Sequence, residues 1–135
     1  MNKEFVPYEQ ALALKELGFD AECVSRFVKS SSGLCKYELR YGNPRKYNSL
    51  EFSISRPLYQ QAFRFFRNKY NLDGSLSVDV WNTKKVSWRI TGGIEGKIFV
   101  NNENELYDWE SDEFNNYEEA ELACLNKLIE IAQKR

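Results

Sequence analysis

Three stretches of the chain carry apolar residues at helical spacing, and between them apolar and polar positions alternate singly. In the first, Pro7 suits an opening turn, Ala11, Leu12, Leu14 and Leu17 mark a broad apolar side and Gly18 supplies a stop, which predicts a helix over roughly residues 7 to 18. The second opens at Ser55-Arg56-Pro57 and places Leu58, Tyr59, Ala62, Phe63, Phe66 and Tyr70 near i, i+3, i+4 and i+7, with Gln60, Arg64 and Arg67 on the other side. The third starts at Asn116-Tyr117-Glu118-Glu119, where Asn116 can cap and Glu119 can reach back to an exposed amide. Its inner stripe is Tyr117, Ala120, Cys124, Leu128 and Ile131.

The alternating stretches predict strands. Glu22 to Lys29 and Leu34 to Tyr41 flank Ser30-Ser31-Ser32-Gly33, a loop of hairpin length and composition. Cys35, Tyr37, Leu39 and Tyr41 alternate with Lys36, Glu38 and Arg40, so one face is expected to be buried and the other wet. Leu50, Phe52 and Ile54 repeat the pattern; beyond the second helix so do Leu76, Val78 and Val80, then Val86, Trp88 and Ile90, with Asn82 to Lys85 as the turn between them. A last short strand is expected near Lys97 to Val100, after the bend Gly92 to Gly96. The order α-β-β-β-α-β-β-β-α groups strands between helices. It argues an α+β layer fold, an antiparallel or mixed sheet of about five to six strands carrying three helices in one domain over residues 1–135.

An internal echo runs through the helices. Tyr8-Glu9-Gln10-Ala11, Tyr59-Gln60-Gln61-Ala62 and Tyr117-Glu118-Glu119-Ala120 share one pattern, read either as a repeated docking motif or as the composition that suits a first helical turn. The stretches 8–20, 57–70 and 117–130 that contain these tetrads resemble a family of small proteins from gut bacteria of the Bacteroides group and their phages, a family without an assigned activity. The resemblance covers the three helices, about a third of the chain, and not the strands. It implies a mobile-element origin, a cytoplasmic setting and a host-directed accessory role, and brings no catalytic residue with it.

Composition narrows the classes. Aromatics make up 15% of the chain and hydrophobic residues 42%, enough apolar surface to offset chain entropy. No apolar run approaches the roughly 18 residues of a membrane span, and Met1 to Phe5 lacks a signal-peptide pattern, so the expected location is the cytoplasm with no membrane partner. Histidine is absent, which removes Ser-His and Cys-His nucleophile pairs. The three cysteines, Cys23, Cys35 and Cys124, stand far apart without a metal-binding spacing and read as small buried hydrophobes. No metal, no cofactor and no enzymatic activity are expected.

Charge changes the picture most. The net formal charge is −1, yet from Arg26 to Lys69 there are ten Lys or Arg and two acids, whereas Asn101 to Glu121 holds nine acids and no base. In the basic block Arg40, Arg45, Arg64 and Arg67, with Lys36, Lys46 and Arg56, interleave with Tyr37, Tyr41 and Tyr47, a composition suited to a nucleotide or single-stranded nucleic acid. A pI near 5.6 weighs against a dedicated nucleic-acid binder. In the acidic block Tyr107, Asp108, Trp109, Glu110, Asp112 and Glu113 form a candidate docking face for a host protein, with Tyr107, Trp109 and Phe114 as anchors. Read as a calcium loop from Asp108, the segment lacks the glycine needed at its sixth position, which is Glu113, and Gly92 to Lys97 lacks the Ser or Thr and the helix of a phosphate loop. The expected function is a non-catalytic interaction domain, a phage or prophage accessory protein that binds a host macromolecule through a charged, aromatic-rich face, with homodimerisation reasonable. The alternative is nucleotide or nucleic-acid binding through the basic hairpin and second helix.

Overall fold

The computed structural model of the chain describes residues 2–29, 37–81, 85–92 and 107–134. Its elements run α1 (Tyr8–Glu16), β1 (Cys23–Lys29), β2 (Tyr37–Arg45), β3 (Ser53–Arg56), α2 (Tyr59–Tyr70), β4 (Leu72–Val78), β5 (Val86–Gly92), β6 (Tyr107–Glu110) and α3 (Tyr117–Gln133). The fold is α+β, and the described helices and strands follow roughly the expected order, with three strands grouped between successive helices. The strands do not share one sheet. They form two antiparallel three-stranded sheets, ordered β2-β1-β3 and β4-β5-β6. The chain divides into two compact units, Met1–Ala62 and Phe63–Arg135, and the division falls inside α2.

In the first unit α1 begins directly after Pro7 and ends in a Schellman turn. Gly18 takes φ 94, its N–H donates to the Lys15 carbonyl at 3.0 Å, and the Phe19 N–H donates to that of Leu14 at 2.9 Å. Leu14 and Phe19 are both buried there. Strand β3 starts later than the alternation Leu50, Phe52, Ile54 suggests. Phe52 turns the chain at φ 64 and its ring is 57% exposed, so the buried strand is Ser53–Arg56. A short 3₁₀ turn, Tyr47–Ser49, covers the outer edge of β3: the Asn48 N–H donates to Ser55 Oγ at 3.0 Å, and Asn48 Oδ1 accepts from the Ser55 N–H at 2.8 Å. Helix α2 is opened by Gln61, whose Oε1 accepts from the Leu58 N–H at 2.9 Å, while its Nε2 donates to the Glu22 carbonyl at 2.8 Å.

In the second unit Leu72, Gly74, Leu76 and Val78 face the same side as Gly92, Ile90, Trp88 and Val86, their cross-strand partners, and α3 packs on β4 and β5. Gly74 is a point of close approach, since a Cβ there would lie 3.0 Å from Leu128 Cδ1 and 3.1 Å from Cys124 Sγ. The buried stripe of α3 is Ala120, Cys124, Leu125, Leu128, Ile129 and Ala132. It is rotated from the expected stripe, leaving Tyr117 largely exposed. Asn116 caps α3 by accepting the Glu119 N–H at 2.8 Å. Strand β4 also begins earlier than expected, at Leu72, and Val80 lies outside it and exposed. The strand expected at 97–100, the hairpin loop 30–33, Cys35 and the bend 93–96 lie outside the described residues, as do 82–84 of the expected turn. The sixth described strand instead comes from the acidic segment.

All three α-helices begin on the tyrosine of the repeated tetrad, and the alanine three residues on, Ala11, Ala62 or Ala120, is fully buried in each. The tyrosines differ: Tyr59 is buried and Tyr117 exposed. The echo therefore marks helix starts with a small residue at the packing position, and not three copies of one exposed surface.

Candidate functional site

In the first unit β2 and β3 are the edge strands, and the 3₁₀ turn covers only β3. Every residue from Glu38 to Lys46 is exposed, and among the described residues the outer edge of β2 has no strand partner. Arg40, Tyr41 and Arg45 of the expected basic surface all stand on it. The register sets Arg26 of β1 directly opposite Arg40, a like-charge pair that both side chains evade. The Arg40 Nη2 donates to Glu38 Oε2 at 2.7 Å, and the Arg26 guanidinium lies over the Tyr47 ring at 4.6 Å. Tyr47 is only 3% exposed and its hydroxyl donates to the Asn43 carbonyl at 2.5 Å, so this ring fixes the chain after β2 and offers no face for a base to stack on. Arg64 and Arg67 belong to the second unit, where both are exposed and Arg67 lies 3.8 Å from Asp73.

The other face of the first sheet holds Arg56, a member of the same basic block in the sequence. Arg56 on β3, Ser25 on β1 and Tyr41 on β2 share one row of the register. Ser25 is small and fully buried, and the arginine side chain reaches across it, so that Nη1 donates to the Tyr41 hydroxyl at 3.0 Å. The Phe5 ring lies 4.7 Å from the guanidinium carbon and the Phe27 ring 5.7 Å from it. Arg56 is 7% exposed, its Nε is buried without a hydrogen-bond acceptor, and no carboxylate pairs with it among the described residues. Burial of an unpaired ion costs several kcal/mol, and each desolvated ring contact returns about 2 kcal/mol. Nothing local in Ser53-Ile54-Ser55-Arg56 signals this burial. It is created by Phe5 and Phe27, which are distant in sequence.

In the second unit Tyr107–Glu110 is β6, paired with β5. Trp109 lies opposite Ile90 and is part-buried on the core side of the sheet, so it is not presented outward as an anchor. Phe114, another expected anchor, bridges to Val86 by two backbone hydrogen bonds and is part-buried. Glu110 forms a close ion pair with Arg89. Asp112 and Glu113 are exposed, while the side chains of Tyr107 and Asp108 lie outside the described residues. An open polar depression of about 470 Å³ lies beside this pair, lined by Ser75, Ser77, Ser87, Arg89, Glu110 and Ser111.

The described thiols are chemically quiet: burial pushes both Cys23 and Cys124 up to about 12, so both stay protonated. Glu121 on α3 is raised to about 7, first by burial and then by the Glu118 charge one turn back. Tyr117 is raised by burial and by Glu121. Among the described residues no cluster of three His, Cys, Asp or Glu could hold a metal ion, and no helix is long and apolar enough to cross a membrane. No protein-family model, no curated protein and no solved structure matches this chain.

Proposed function

We propose that this protein is a non-catalytic interaction module that takes an extended segment of a partner protein onto the outer edge of β2. The observation that carries the reading is the edge itself, a nine-residue strand whose residues Glu38 to Arg45 are all exposed. Backbone N–H and C=O groups at the outer edge of such a strand supply affinity by strand addition, and alternate side chains supply specificity. Leu39 and Tyr41 give this edge apolar and aromatic contact, and Arg40 and Arg45 give it charge. A host-directed accessory role, as implied by the resemblance of the helices to phage-associated proteins, fits a module of this kind.

The test is to pan a random peptide display library against the whole purified chain and to measure amide hydrogen exchange with the enriched peptides bound. Segments of alternating pattern that protect the amides of Leu39 to Asn43 are expected. Enriched binders that leave those amides unprotected would remove β2 as the docking edge. Concentration-dependent protection without any peptide would identify a second copy of the chain as the occupant.

Nucleic acid is the second reading, favoured by Arg40, Tyr41, Arg45 and Lys46 standing exposed along the same edge. It predicts that an oligothymidine binds with an affinity falling linearly in log salt, at a slope of about −0.7 for each phosphate neutralised. Salt-independent or absent binding discards it.

A further inference from the structure

Resting on the reading of β2 as a docking edge, we propose that Arg56 and Tyr41 form an anion receptor at that edge, which takes a carboxylate side chain of the incoming segment. The guanidinium belongs to β3 but crosses the buried Ser25 to reach the Tyr41 hydroxyl on the outermost strand, so its charge is delivered to the docking side of the sheet. The Phe5 and Phe27 rings lie 4.7 and 5.7 Å from the guanidinium carbon, neighbours that offer its N–H groups no oxygen acceptor. The Arg56 Nε is buried and has no acceptor. A methionine of similar length would fill the same slot without burying a charge, so packing alone does not account for the cation.

The partner's chemistry follows from the cation. The N–H groups of a guanidinium lie in one plane as a fork that matches a planar, two-oxygen acceptor, and a carboxylate is that acceptor. The side of the receptor that meets solvent is Tyr41, which is 56% exposed. A residue of an added strand directly opposite Tyr41 would place its Cβ about 5 Å away on the same face of the sheet. A glutamate there is directed at the Arg56 guanidinium beside the Tyr41 hydroxyl.

The experiment uses the full chain labelled with ¹⁵N, observing the backbone amides of Leu39 to Asn43 and the Nε–H of Arg56. The probes are a blocked pentapeptide of alternating valine and threonine with a central glutamate, its central-glutamine counterpart, sodium acetate and inorganic phosphate, all at one ionic strength. The glutamate peptide is expected to move both sets of signals saturably and to bind about tenfold tighter than the glutamine peptide, the factor for a hydrogen bond to a charged group. Arg56→Met should abolish that preference while the edge amides still respond. Tyr41→Phe, which removes only the hydroxyl oxygen, should reduce it and serves if the first variant does not fold.

Equal binding of the two peptides overturns the receptor and leaves the docking edge in place. Silence of both peptides with a saturable acetate shift at Arg56 keeps the anion site and discards the docking edge. Tighter response to phosphate than to acetate overturns the carboxylate assignment, and an Arg56 signal unmoved by every probe overturns the site altogether.

Discussion

Glu121→Gln is expected to stabilise the protein at pH 8 and to leave it unchanged at pH 4. The carboxyl sits part-buried on α3, with Glu118 one turn before it, and its folded value is raised from 4.5 to about 7. The folded chain therefore binds this proton more tightly than the unfolded chain does. Stability from this group is fully present below about 4.5, declines as pH rises through 7 and is gone above it. At about 1.4 kcal/mol for each tenfold change in proton affinity, the interval sets a ceiling of roughly 3 kcal/mol, which solvent screening of a part-exposed group reduces to about 1 kcal/mol. Glutamine mimics the protonated acid at every pH. Urea midpoints of the two proteins at pH 4, 6 and 8 read the effect, and Cys124 does not interfere because its thiol stays neutral to about 12. A variant whose advantage is the same at pH 4 and pH 8, or which is weaker at pH 8, refutes the reasoning.

Gly74→Ala should destabilise by about 1–2 kcal/mol, because its new methyl meets two fully buried side chains, Leu128 and Cys124, at 3.0 and 3.1 Å. Adding Cys124→Ala should recover part of the loss in a urea-denaturation cycle, and strict additivity would show that the contact is not the cause. Gly18→Ala should cost about 1 kcal/mol by the same assay, since an L-residue is strained at φ 94 where the Schellman turn closes α1. Cys23 and Cys124 should resist a thiol reagent at pH 8 until denaturant is added, and mass mapping that finds either one labelled in the native chain contradicts their burial.

What the sequence disclosed was local. Gly18 as a stop and Asn116 as a cap act through bonds to residues within four positions, so their type and spacing were enough to locate the helix ends. The division into two sheets was not legible, because it depends on β3 returning to β1 and β6 returning to β5 across long stretches of chain. The segment Tyr107-Asp108-Trp109-Glu110 does alternate aromatic and acidic residues, the pattern of a half-buried strand, but its dense charge equally fits a solvated loop. Charge blocks fail for the same reason at the candidate site. Arg40, Arg45 and Arg56 are alike in the sequence, yet the first two stand in water on an edge and the third is buried near two rings. A cation's role is fixed by the row it shares across a sheet. Ser25 on the middle strand, too small to block the way, is what lets Arg56 reach Tyr41 as a buried charge and not as one more surface base.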